Sequence, residues 1–200
     1  MVTLSDPLYA DEKGTSRFFT ISSSPLDAGE LAFTTRLSDS AFKRSVDESS
    51  LGSSVNVEII GGDLILPKST FRQFVFIAGG IGITPFMSML RYIDTKKLDY
   101  KITLLYSNRT VASTAYLDEL TTLAKRNKKL TLMPTMTDDP SWYGETKRID
   151  EAFIRNYVKD CSKSECFIVG SARMVEATNI TLVAMKIPSD RQHAEEFPGY

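Results

Sequence analysis

Two hundred residues, 42% of them hydrophobic, are enough to bury the core of one large or two small domains. Lysine plus arginine number 24 against 25 aspartates and glutamates, and a net charge of -1 leaves no global electrostatic case for nucleic acid or an anionic membrane surface. A single histidine, with Cys161 and Cys166 separated by four residues, matches neither a zinc half-site nor a CxxC redox pair, so no metal site is expected and both thiols read as buried.

The chain opens with short β-rich runs punctuated by turn residues: VTLS at 2–5, RFFTISSS at 17–24, ELAFTTR at 30–36 and VNVEII at 55–60. Between the last two, SDSAFKRSVDES reads as a short helix capped by Ser38, Asp39 or Ser40. Residues 1–70 are therefore expected to form a small antiparallel β unit.

From residue 71 to 200 the character changes. Apolar strands at 74–78, 101–107, 129–137 and 165–170 alternate with helices: one from Pro85, one around AYLDELTTLAKRN, one over DEAFIRNYVKD capped by Asp150, and one over SARMVEATNITLVAMK. The last residues supply a short fifth strand. Continuous apolar strands alternating with helices predict a parallel sheet covered on both faces, so the expected fold is antiparallel β followed by α/β. No apolar run approaches the roughly 18–20 residues of a membrane span. The start MVTLSDPLYADEKG lacks the basic start and apolar core of a signal peptide, so a cytoplasmic location is expected.

The stretch FVFIAGGIGITP at 74–85 ends the first apolar strand in Gly79, Gly80 and Gly82 and resumes as a helix at Pro85. Ligands of open parallel sheets bind beyond the carboxyl ends of the strands, and the first strand-to-helix turn is the favoured phosphate position. Glycines there permit positive φ and close backbone approach, and the helix start faces the same anion with its positive end. A pyrophosphate is the natural occupant, although GGIGITP is not GxGxxG: Pro85 stands where the third glycine would be.

RFFTISSSP, GGIGITP and VGSARM, in this order, resemble the ferredoxin-NADP reductase superfamily of flavin-dependent electron-transfer enzymes over nearly the whole chain. The resemblance implies a β-barrel for FAD followed by an α/β domain for NADPH or NADH. It implies that Arg17 pairs with the FAD pyrophosphate, that Phe19 packs on the isoalloxazine and that Thr20 hydrogen-bonds near flavin N5. Thr35, Arg36 and Ser40 fall where the family flanks the flavin nucleotide, Ser40 serving equally as a helix cap. Gly80, Gly82 and Thr84 would line the nicotinamide dinucleotide, joined by Gly170 and Met174 of VGSARM. The cysteine frequent in the matching family motif is replaced by Val169, and Cys166 does not take its place. At the tip of the second strand Arg109 favours the 2'-phosphate of NADPH over the free hydroxyl of NADH.

EEFPGY resembles the family's ending, where an aromatic covers the flavin: Phe197 is the candidate gate with Tyr200 as the alternative, and Glu195 or Glu196 lies near the site. About two strands precede the equivalent of VTLS in the family, so the barrel is expected to be incomplete, with an open edge that favours weak flavin retention or a homodimer. GGDLIL departs from the family's GPxGxFxL and reads as a barrel turn. The implied function is a reductase passing hydride from NAD(P)H to FAD and electrons onward to ferredoxin, flavodoxin, an oxygenase component or a small molecule. The alternative is an electron-transfer or regulatory subunit with little activity alone.

Overall fold

The computed structural model describes residues 1–68 and 73–197, so the expected boundary at 70/71 and the alternative gate Tyr200 lie outside the described residues. Strand β1 (Val2–Leu4) runs antiparallel between β2 (Ser16–Arg17) and β3 (Val55–Val57), with Val2 opposite Arg17 on one side and Val57 on the other. Alternation sends Val2 and Leu4 to the same face, where they pack on Phe42 of helix α1 (Ala41–Glu48) together with Phe19, Phe33 and Val46. Of the three expected caps Ser40 serves: its hydroxyl accepts from the Lys43 amide at 3.3 Å.

Two expected strands are much shorter than the sequence implied. The run 17–24 keeps only its first residue in β2, and 30–36 keeps a single bridge, Ile21 to Phe33. Serines explain the loss. The Ser23 hydroxyl takes the Ala32 amide at 3.0 Å, and the Ser24 amide goes to Asp27 Oδ2 at 2.9 Å, so side chains replace ladder partners. The strand expected over 55–60 stops at Val57, in step with three-residue β1, and lies at the sheet edge with Val55 and Val57 exposed.

The second sheet holds five parallel strands: β4 (Gln73–Gly79), β5 (Lys101–Asn108), β6 (Leu130–Met136), β7 (Glu165–Gly170) and β8 (Gln192–Glu196), in the order β6-β5-β4-β7-β8. Helices α2 (Thr84–Lys96), α3 (Leu117–Arg126), α4 (Glu151–Tyr157) and α5 (Ala172–Ala184) make the connections. Both faces of β4 are covered, which is why its sequence is continuously apolar. Phe74, Phe76 and Ala78 pack with Phe86, Leu90 and Ile93 of α2, while Val75 and Ile77 pack with Phe153, Ile168 and Leu182. Phe76 stacks on Phe86 with centroids 4.5 Å apart and meets the Phe167 ring edge-on at 5.5 Å. Burial of each such side chain contributes about 1.5–3 kcal/mol.

Asp150 caps α4 as expected, accepting from the Phe153 amide at 2.8 Å. His193 is held structurally: it stacks on Phe167 at 4.5 Å and its Nε2 lies 2.9 Å from Glu165 Oε1. Among the described residues no helix is long and apolar enough to cross a membrane, and no cluster of His, Cys, Asp and Glu is arranged to hold a metal.

Candidate functional site

The strand order reverses about β4, with β5 on one side and β7 on the other, and the crevice of such a sheet opens at the carboxyl ends of these strands. Here β4 leaves Gly79 with φ -113°, passes through a 3-10 turn over Gly80–Ile83, and enters α2 with Pro85 in its first turn. The three glycines have different causes. Only Gly80 uses the left-handed region, at φ 54°. Gly82 is there for space: a Cβ would stand 2.7 Å from the Val169 carbonyl carbon and 2.9 Å from the Gly170 nitrogen. Gly79 leaves room for the Met174 thioether, whose methyl carbon would be 3.3 Å from an added Cβ.

The turn is pinned from below. Tyr106, in the buried centre of β5, places its hydroxyl 3.0 Å from the Gly80 carbonyl and 3.1 Å from the Ala115 carbonyl. Sequence reasoning did not single out Tyr106, although a tyrosine inside an apolar strand, whose hydroxyl needs a partner, was a signal that could have found it. From above comes Arg36. Its Nη2 donates to the Ser113 carbonyl at 3.0 Å, reaches Asn108 Oδ1 at 3.5 Å, and would stand 3.1 Å from a Cβ on Gly80. The resemblance places Arg36 beside the flavin nucleotide; the structure puts its guanidinium on the glycine turn. Asn108 is 5% exposed and its Nδ2 has no partner among the described residues. An unsatisfied buried donor is costly unless something else meets it, so the end of β5 is built for an acceptor.

The flavin-motif residues lie on the other wall. Arg17 and Phe19 converge on the Phe42 ring, the guanidinium carbon 5.3 Å and the Phe19 centroid 5.6 Å away, although no strand continues past Arg17. Phe19 also stacks on Phe33 at 4.6 Å. The Arg17 guanidinium is occupied by Asp11 and the carbonyls of Lys13, Gly14 and Ser16. The Thr35 hydroxyl donates to the Arg36 carbonyl at 3.3 Å.

Distant segments close the cleft. Thr20 Oγ1 donates to Glu195 Oε1 at 3.4 Å across 175 positions of sequence, and the Phe197 amide donates to the Gly170 carbonyl at 2.9 Å. Arg17, Phe19, Thr20, Thr35, Arg36, Ser40, Gly80, Thr84, Arg109, Met174, Glu195 and Phe197 all line one continuous cleft of about 1760 Å³. Gly82 and Gly170, expected to line it, are buried and are not among its lining residues, because their lack of a side chain serves the packing of turn, strand and Met174. The cleft exceeds the roughly 300–1,000 Å³ of an ordinary small-molecule pocket. It offers the open turn at Gly80, the unpaired Asn108 donor and the cations Arg36, Arg109 and Lys43, a donor set that fits dinucleotide phosphates.

Burial pushes the Glu195 carboxyl above its ordinary value; the Thr20 hydrogen bond opposes this and the charge of Asp63 adds to it. Between the ordinary carboxylate value near 4.5 and the raised one, the folded protein binds more protons at Glu195 than the unfolded chain. Stability from this group is therefore lost as pH rises through that window. Thermal melts of Glu195→Gln from acid toward neutral pH should show a flatter decline than the natural chain, and equal slopes would refute the assignment. Burial, followed by the neighbouring Cys161, pushes the Cys166 thiol up to about 12, so it is no thiolate at neutral pH and does not stand in for the family cysteine.

The oxidoreductase NAD-binding domain family matches residues 76–179. The ferredoxin reductase component of 3-ketosteroid-9-alpha-monooxygenase from Mycobacterium tuberculosis is 26% identical over 186 residues, 91% of this chain and 49% of that protein. Flavohemoprotein A of Dictyostelium discoideum is 27% identical over 149 residues, 74% of this chain and 36% of that protein. The chain thus spans a third to a half of the length of these relatives. A ferredoxin NADP+ reductase from Neisseria gonorrhoeae, solved with FAD and NADP bound, superposes with a TM-score of 0.75 at 21% identity, covering 94% of this chain and 82% of that one. The chain belongs to the oxidoreductase NAD-binding domain family and has the fold of the ferredoxin-NADP reductase superfamily.

Proposed function

We propose that this chain is the cofactor-binding part of an NAD(P)H-dependent flavoprotein reductase that passes electrons to a ferredoxin-like or oxygenase-component acceptor. One observation carries this reading: the RFFT segment and the glycine turn face a single cleft, and Thr20 of that segment is bonded to the cleft-lining Glu195. When bound, FAD would accept hydride from the nicotinamide and release electrons singly. The residues bind and orient. Gly80 and Arg36 would hold the nicotinamide pyrophosphate, with Thr84 toward the nicotinamide. Arg109, which lines the cleft beside Asn108, favours the 2'-phosphate of NADPH. Ser40 at the start of α1, and Arg17 once released from Asp11, would meet the FAD phosphates. Thr20 would hydrogen-bond the flavin ring edge, and Phe197, packed on the core at the end of β8, would shield its face. The relatives support an acceptor of this class, since one carries the name of a ferredoxin reductase component.

The test is direct. Purified protein is mixed with excess FAD, desalted and examined by visible absorption before and after anaerobic NADPH or NADH. At least partial retention of the flavin bands, as the open barrel edge implies, and their bleaching, faster with NADPH, are expected. A colourless protein, or a yellow one that does not bleach, would refute the reductase reading and favour an electron-transfer or regulatory subunit.

A further inference from the structure

A single cation joins the segment after Thr20 to helix α2, which follows the glycine turn, and to helix α3. Arg91 on α2 donates through Nε and Nη2 to the two carboxylate oxygens of Glu119 on α3, each at 2.7 Å, and through Nη1 to the Ser22 carbonyl at 2.7 Å. Its guanidinium carbon lies 5.1 Å from the centroid of the Tyr116 ring. Tyr116, held at φ 60° just before α3, donates its hydroxyl to Ser22 Oγ at 3.2 Å and is also bonded to Thr34 Oγ1. Ser22 is fully buried, and its amide donates to the Ala32 carbonyl at 2.8 Å, which ties Ser22 to the strand-like segment opposite. The carbonyl before Tyr116, that of Ala115, is bonded by the same Tyr106 hydroxyl that reaches Gly80.

Residue 91 follows Thr84 by seven positions, about two helical turns, so Arg91 and the cleft-lining Thr84 share one side of α2. Ser22 stands two residues from Thr20. Arg91 and Ser22 do not themselves line the cleft, but their bond joins the helix that carries Thr84 to the segment that carries Thr20. The planar fork that grips Glu119 leaves a third donor for Ser22, a division of labour that a lysine ammonium does not reproduce with the same fixed geometry.

We propose that Arg91 is a positioning residue for the reductase reaction: acting through Ser22 and Tyr116, it sets the spacing between the Thr20–Glu195 pocket and the glycine turn. This rests on the reductase reading, in which the nicotinamide C–H bond breaks and its electron pair passes with the hydrogen to the flavin. That transfer is steep in distance, since a misplacement of about 1 Å costs on the order of a hundredfold.

The test has a cofactor-free and a loaded arm. In the cofactor-free protein, amide hydrogen exchange of Arg91→Met should rise at residues 20–24 and 30–36 while 74–79 stays protected. In the loaded protein, the anaerobic bleaching rate at saturating nucleotide should fall about tenfold with nucleotide Kd within about twofold, Arg91→Lys recovering part of the rate. Tyr116→Phe, which removes one hydroxyl, should move both readouts the same way and serves if Arg91→Met does not fold. A variant that bleaches at the natural rate, or whose exchange is unchanged at 20–36, overturns the proposal. A natural chain that retains no flavin or does not bleach overturns the reductase reading and this inference with it, whatever the exchange shows.

Discussion

Gly82→Ala should cost roughly 3 kcal/mol or more of stability, at the upper end of overpacking substitutions, and lower the melting temperature by about 6–12 °C. The new methyl would sit 2.7 Å from the Val169 carbonyl carbon and 2.9 Å from the Gly170 nitrogen, and nearest of all to the Val169 carbonyl oxygen. These are backbone atoms of β7 at the strand's paired end, where Ala78 opposes Val169 in the register. No rotamer relieves the clash; either the turn or the strand must move. Gly79→Ala is the control. Its methyl meets the far end of the Met174 side chain, a flexible thioether that swings aside, so the loss should be less than half as large. Calorimetry or denaturant melts of the two variants check the pair, and a Gly82→Ala protein as stable as Gly79→Ala would show that the turn does not pack as described.

Arg36→Gln should weaken nicotinamide-nucleotide binding about tenfold to a hundredfold, the loss of one charge-assisted hydrogen bond of roughly 1.5–3 kcal/mol, while leaving flavin retention unchanged. The separation of the two effects is the informative part. On the family pattern Arg36 belongs with the flavin nucleotide; in the fold its guanidinium is anchored to Ser113 and Asn108 and rests on Gly80, at the turn where the second dinucleotide is expected. Binding by the natural chain should weaken with added salt more steeply than binding by Arg36→Gln, because the charge removed is only partly buried. Titrations followed by flavin or nucleotide fluorescence measure both quantities. Lost flavin with intact nucleotide affinity would return Arg36 to the flavin side.

Much of the parallel half was written locally. The alternation of apolar strands and amphipathic helices, the Asp150 cap, Pro85 at the first turn of α2 and the strand at 165–170 all follow from short-range rules, because buried parallel strands must be apolar throughout and helix ends must satisfy their own amides. The antiparallel half was less legible. RFFTISSS carries the right residues for a strand, but its serines find better partners across the loop than a ladder would give, and that choice depends on where Ala32 and Asp27 stand.

The sequence by itself determined the kinds of groups available: three glycines at a strand end, an arginine-aromatic-threonine run, an acidic-aromatic ending. Only the tertiary structure decided which of them meet. It brought Thr20 to Glu195, turned Arg36 onto Gly80, gave Gly82 to packing rather than to the cleft and left Asn108, at the cleft wall, with a donor that is unpaired among the described residues. Contacts between residues so far apart depend on how two sheets and their helices dock, and no local pattern of residues encodes that docking.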